Sequence, residues 1–112
     1  MGMSKYGNRK VQTTQDGTFD SVREFRRWQE LKLLQRAGEI VNLHRQVKFG
    51  LIPPQRIDGK LIEKGVTYVA DFCYFSKNGD FIVEDAKGYR TEVYKIKKKL
   101  MLQVHGIRIK EV

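Results

Sequence analysis

The segment that most constrains the fold is 66–87, where two apolar runs flank a turn signal. Residues 66–75 read VTYVADFCYF, rich in β-branched and aromatic side chains, and residues 81–87 read FIVEDAK. Lys77-Asn78-Gly79 stands between them, so the pair predicts a β-hairpin. Register then decides what the hairpin presents. With a three-residue loop and Gly79 left-handed, Phe75 pairs with Phe81 and Asp71 stands directly opposite Asp85. A two-residue Asn78-Gly79 turn instead puts Asp71 opposite Ala86, on the other face from Asp85. Turn chemistry permits both. The aromatic pair favours the first register, as does its collection of Val69, Cys73, Phe75, Phe81 and Val83 on one face.

The rest of the chain supplies layers for that hairpin. Ser21 as N-cap, Glu24 three residues on and Gly38 at the end predict a helix of about 16 residues. Phe25, Trp28, Leu31 and Leu34 form its core-facing stripe. Residues 39–52 alternate as a strand, with Val41, Leu43, Val47 and Phe49 on one side, and Pro53-Pro54 ends it. Residues 56–65, around Asp58-Gly59, read as a hairpin excursion or loop. Gly88 breaks the return strand, Thr91 offers an N-cap, and Val93, Ile96, Leu100 and Val104 recur at helical spacing up to Gly106. Those four are expected inward on a second helix, and residues 107–112 alternate as a short closing strand. Residues 1–19 are a polar basic arm containing Lys5, Arg9 and Lys10, and residues 20–112 a single α/β domain.

Composition narrows the function. A 112-residue chain of net charge +9, 40% hydrophobic, suits one compact core. Cys73 stands alone and His44 and His105 have no partner motif, which excludes an internal disulfide and a structural zinc site. No apolar run approaches a membrane span and the first ten residues carry no hydrophobic stretch, so a soluble, cytoplasmic protein is expected. The charge is uneven. Residues 1–36 hold eight basic and four acidic side chains, residues 37–85 six and seven, and residues 86–112 eight and two. Basic ends attract polyanions, nucleic acid first, with anionic lipid or ribosomal partners as alternatives.

The carboxylates carry the chemistry. Asp85 and Lys87 share a strand face. Asp71 and Asp85, facing each other next to a core, repel unless a cation sits between them. Oxygen ligands from both, with a backbone carbonyl such as that of Ala86 and waters, suit Mg²⁺ or Mn²⁺ rather than zinc. Lys87 could stabilise charge developing on a phosphate or position an activated water. A simple ion pair of Lys87 with Asp85 or Asp71 explains the same triplet. Glu24 projects between Trp28 and Leu31 toward the core, though its capping role needs no metal.

These residues resemble the PD-(D/E)XK nuclease superfamily. The resemblance spans about residues 20–110 and rests on Ser21-x-x-Glu24 in the first helix, Asp71 in Tyr-Val-Ala-Asp-Phe, and Glu84-Asp85-Ala86-Lys87-Gly88. In detail the chain is similar to small phage-encoded nuclease-like proteins, and more distantly to Holliday-junction resolvases and the nuclease subunits of transposition systems. Ala70 replaces the proline of the motif's name. The resemblance implies a restriction-endonuclease-like core, a mixed central sheet flanked by helices. It also implies metal ligation by Glu24, Asp71 and Asp85, the motif lysine at Lys87, and Mg²⁺-dependent phosphodiester hydrolysis. Glu84 has no lysine at the motif's spacing, which leaves Asp85 as the motif acid.

DNA is the expected partner. Lys95, Lys98 and Lys99 are expected outward on the second helix, with Lys97 at its inward edge. Arg90, Gln46 and Tyr94 are further candidates for substrate contact, although Tyr94 also suits packing. Membrane and small-molecule cofactors are not expected. A resolvase of this size would dimerise to cut two strands symmetrically. The rival function is a catalytically silent nucleic-acid-binding subunit of the same fold. A glycosidase built on the two acids fits poorly with the basic charge and with Lys87 beside them.

Overall fold

The computed structural model describes residues 9–112; the expected contribution of Lys5 lies outside them. In chain order the elements are β1 (Val11–Gln12), β2 (Thr18–Phe19), α1 (Val22–Arg36), β3 (Ile40–Ile52), β4 (Gln55–Ile57), β5 (Lys60–Glu63), β6 (Val66–Ser76), β7 (Phe81–Asp85), α2 (Glu92–His105) and β8 (Lys110–Glu111). This is a mixed α/β fold. The central sheet has four strands in the order β3-β6-β7-β8, antiparallel except where β8 runs parallel to β7. No described helix is long and apolar enough to cross a membrane.

The β6–β7 hairpin takes the register with Phe75 opposite Phe81, and Gly79 adopts φ 91° in the turn. Its aromatic pair has ring centroids 5.1 Å apart. Burial played less part than expected in choosing that register. Only Cys73 and Val83 of the expected apolar face are buried, whereas Val69, Phe75 and Phe81 are exposed. Cross-strand aromatic contact and the loop geometry are therefore what hold it.

Each face of the sheet carries one helix and one core. Phe19, Trp28, Leu31, Ile40, Phe72 and Tyr74 pack together under α1, with Phe25 and Leu43 at the margin. Tyr68, Ala70, Cys73 and Val83 pack with Tyr94 and Met101 under α2, joined by Leu51 and Ile109. Adjacent residues Cys73 and Tyr74 go to opposite cores, as strand alternation requires.

Four expectations need correction. The arm is not loose over its whole length: β1 and β2 form a hairpin, and Phe19 is fully buried 5.3 Å from the Phe25 ring. Leu34 is exposed, because α1 presents Glu24, Trp28 and Leu31 inward and ends one turn later. On β3, Val41 is exposed and Leu43 faces α1 while Val47 and Phe49 face α2, so these four do not share a side. Finally, α2 is rotated from its expected facing. Tyr94 and Met101 are its buried residues, and Val93, Ile96 and Val104 are exposed.

Because Phe19 anchors the first hairpin to the α1 core, Phe19→Ala is expected to lower unfolding free energy by about 3–5 kcal/mol. Urea denaturation followed by tryptophan fluorescence measures it. A change below about 1 kcal/mol would return the segment to a dispensable arm.

Candidate active site

The site begins where the two middle strands part. The last β6–β7 pair is Phe72 with Glu84; beyond it β7 pairs with β8 through Glu84↔Lys110 and Asp85↔Glu111. Asp71 is the next residue on β6. Its Oδ2 accepts the Ala86 N–H at 2.8 Å, a side-chain bond where a backbone ladder bond would otherwise fall. The end of β7 is tied instead to the C-terminus: Val112 N–H donates to the Asp85 carbonyl at 3.0 Å and Lys87 N–H to that of Val112 at 3.2 Å.

At the same level both long strands lose their alternation. Tyr68 and Ala70 belong to the α2 core but Phe72 and Tyr74 to the α1 core, so the phase of β6 changes at Asp71. The phase of β3 changes between Leu43 and Val47, where Gln46 adopts φ 54°. A left-handed glutamine inside a strand is a strained backbone that the surrounding pairing must hold. Gln46 lies between the pairs Arg45↔Phe72 and Val47↔Ala70, across from Asp71. The consequence is that Arg45 and Gln46, neighbours that should point apart, both reach Glu24. Gln46 Nε2 donates to Glu24 Oε2 at 3.1 Å and Arg45 Nη2 to the same oxygen at 3.3 Å.

Helix α1 delivers Glu24. Ser21 Oγ caps the helix by accepting the Glu24 N–H at 3.1 Å, and Glu24 Oε1 accepts the Asp20 N–H at 3.3 Å. Capping thus fixes the carboxylate one turn into the helix, with the side chain buried. Burial raises the Glu24 carboxyl above its usual range and the Asp20 charge adds to that, while the hydrogen bond from the Asp20 N–H and the Arg45 guanidinium oppose it.

Glu24, Asp71, Ala86 and Lys87 line one cleft of about 130 Å³ with Asp20, Ser21, Gly88 and Tyr89. Asp85 lies beneath it, 2% exposed. Its Oδ2 accepts the Tyr68 hydroxyl, whose own ionisation is pushed far up by burial and then by the Asp85 charge. Lys87 Nζ stands 2.9 Å from Asp85 Oδ1. That approach lacks hydrogen-bond direction, and Oδ1 remains buried without a hydrogen-bond donor. The ammonium also sits 4.3 Å from the Tyr94 ring centroid. Desolvation, then the charges of Asp85 and Glu24, lift the Asp71 carboxyl from 3.8 to about 8.

The donor set meets the requirements of a hard divalent cation in part. The Asp85 charge raises the Asp71 carboxyl beside it, and one oxygen of Asp85 is an orphaned acceptor. A metal close to both would offset the repulsion and occupy that oxygen. Among the described residues, however, no three His, Cys, Asp or Glu side chains stand in a ready ligating group. Glu24 is held by Arg45 and Gln46, so its ligation would require those contacts to yield.

Other expected residues fall in different places. Glu84 is fully buried on the α1 side, clamped by Arg27 through Nε at 2.8 Å and Nη2 at 2.7 Å and bonded by the Tyr74 hydroxyl. Tyr94 does not offer an exposed ring to a base; it is buried, and its hydroxyl donates to Glu111 Oε2 at 2.8 Å. Arg90 and Lys98 also contact Glu111, and the three hold its carboxyl down at about 2, Arg90 contributing most. Lys95 and Lys99 are exposed as expected, Lys97 and Lys98 half-buried. His105 bonds the Gly50 carbonyl through Nε2 at 2.7 Å, a structural contact. Tyr68, Tyr94 and Arg45 support the acids and the lysine in roles the sequence pattern did not reveal. The one available signal was that a tyrosine in a buried strand needs a partner for its hydroxyl.

Fold and cleft together define an α/β domain with an acidic site at the open end of its central hairpin. The chain belongs to the DUF1064 family, described as "Protein of unknown function (DUF1064)", whose model matches residues 3–110. None of the curated proteins and none of the solved structures compared with the chain matches it.

Two outcomes test this geometry. A raised Asp71 pKa favours folding while the carboxyl is protonated, so its contribution is full below 3.8 and is lost as pH rises through about 8. In metal-free buffer, melting temperature should therefore fall across that window. Asp71→Asn should remove most of that fall, at least about 5 °C, the equivalent of about 1 kcal/mol in a domain this size. For the other acid, Arg27→Met strands the buried Glu84 charge and should destabilise the protein by about 3–5 kcal/mol in urea melts. Glu84→Gln combined with Arg27→Met should recover part of that loss.

Proposed function

We propose that this protein is a metal-dependent DNA endonuclease of the PD-(D/E)XK type, with a restriction-endonuclease-like core, acting on branched or junction DNA in phage recombination, repair or packaging. The observation that carries the proposal is the facing pair Asp71 and Asp85 at the point where β6 and β7 part, with Lys87 beside them and Glu24 brought to the same cleft by α1. The order of elements and the parallel β8 are consistent with that core.

Asp71, Asp85, the Ala86 carbonyl and Glu24 are the groups that would hold Mg²⁺ or Mn²⁺. The ion supplies a polarised phosphate oxygen and a water of lowered pKa. The chain's own groups do the rest. Lys87, kept near the cleft by Asp85 and the Tyr94 ring, would meet negative charge building on a phosphate. Tyr68 orients Asp85 by donating to Oδ2, leaving Oδ1 toward Lys87. Gln46 and Arg45 hold Glu24 until a substrate or ion competes for it. Lys95, Lys97, Lys99 and the basic ends of the chain would bind the DNA backbone with little base readout.

One observation favours the rival, a silent nucleic-acid-binding subunit. Lys87 already neutralises Asp85, and Arg45 and Gln46 already occupy Glu24. A labelled panel of single-stranded, duplex, flap and four-way-junction DNA, incubated with Mg²⁺, Mn²⁺ or EDTA, separates the two. The nuclease is expected to cut only with metal, and Asp85→Ala and Lys87→Ala are each expected to reduce cutting by at least about 100-fold. Salt-sensitive binding without cutting, unchanged in both variants, would assign the protein to the binding class.

A further inference from the structure

Beyond the cleft, α2 and residues 108–109 enclose an open groove of about 430 Å³. Its apolar surface comes from Ile96, Leu102 and Ile109, and its rim from Arg90, Lys95, Lys98, Lys99 and Arg108 with one acid, Glu92, among the five cations. Ile96 is 58% and Leu102 55% exposed, so a helix that has already buried Tyr94 and Met101 leaves a second apolar surface uncovered. Lys95 pairs with Glu92 and Lys98 with Glu111. Lys99 and Arg108 have no acidic partner among the described residues.

We propose that this groove docks an acidic peptide segment of a partner protein, its apolar side chains against Ile96 and Leu102 and its carboxylates on Lys99 and Arg108. Two other occupants match the groove less well. A second copy of the chain carries a net charge of +9 and would bring cations against cations. A nucleic-acid strand would satisfy the rim, but the lining has no aromatic ring for a base to stack on, and phosphates gain nothing from leucine and isoleucine. An apolar anchor set among aspartates or glutamates uses both halves of the surface, and the groove has the volume for several side chains. The groove lies apart from the cleft, whose acids and Lys87 do not line it, but Lys95 and Lys99 border both the groove and the proposed DNA-binding face, so the peptide and bound DNA would compete there.

Fluorescence anisotropy on the full chain tests it with three fluorescein-labelled probes of equal charge. These are a peptide alternating aspartate and leucine, a polyaspartate peptide and a single-stranded oligonucleotide. The mixed peptide is expected to bind at least about tenfold more tightly than polyaspartate, since one buried leucine is worth that factor. Leu102→Ser and Lys99→Glu, both at exposed positions and checked by thermal melting, should each weaken it about tenfold. Asp85→Ala should leave it unchanged. Absence of mixed-peptide binding, equal binding of the two peptides, or binding unaffected by both groove substitutions would overturn the proposal. So would an oligonucleotide that binds better than the mixed peptide and loses affinity in Leu102→Ser.

Discussion

Strand β7 buries two consecutive carboxylates, Glu84 and Asp85, on opposite faces of the sheet, and much of the structure is arranged around satisfying them. Unpaired, either charge would cost several kcal/mol. Their solutions differ. Glu84 receives a two-pronged guanidinium from Arg27 on α1, the Tyr74 hydroxyl and the distant Lys110 ammonium, so both of its oxygens have a donor. Asp85 receives one hydroxyl and one poorly aligned ammonium, and one of its oxygens has no donor. The first arrangement fastens a helix to the sheet. The second leaves unused binding capacity beside a cleft, and that asymmetry separates a structural acid from a candidate ligand when the two stand side by side in sequence.

The sequence made much of this legible. Alternation along β7 put Asp85 with Lys87, the Phe75–Phe81 pair fixed the register that brings Asp71 to the end of the ladder beside Asp85, and Ser21 with Glu24 marked both the start of α1 and the carboxylate it delivers. What escaped was the loss of phase at Asp71 and Gln46. Period-two reasoning assumes an unbroken pleat, and a left-handed glutamine carries no signature that propensity detects. Its cause is tertiary: β3 serves the α1 core at Leu43 and the α2 core at Val47 and Phe49, so the strand must change face between them. The same change aims Arg45 and Gln46 together at Glu24.

Helix α2 shows a different limit. Its apolar residues Val93, Ile96, Leu100 and Val104 form a regular stripe, yet the helix turns Tyr94 and Met101 to the sheet, and of the four only Leu100 packs against that core. Two further contacts explain that choice. The Tyr94 hydroxyl bonds Glu111 on β8, and its ring lies under the Lys87 ammonium, so a polar-tipped aromatic outcompetes branched aliphatics for the buried position. A periodicity count treats Tyr94 as one more residue; it has no access to the hydroxyl's need for a partner from a strand that follows in the chain.

Charge distribution joins these arguments. The chain is basic, but its cleft is lined by Glu24 and Asp71, with Asp85 buried against Asp71. A polyanion drawn by the basic ends would meet carboxylates there and be repelled, unless a cation stands between. Lys87 supplies one positive charge, and Asp71, desolvated by burial and facing the remaining negative charge, holds its proton. Protonation and metal ligation are therefore alternative answers to one electrostatic problem. Asp71, which holds its proton first because it is buried and then because other acids face it, gains from a divalent ion, since ligation would offset the part of its raised pKa that comes from the Asp85 and Glu24 charges.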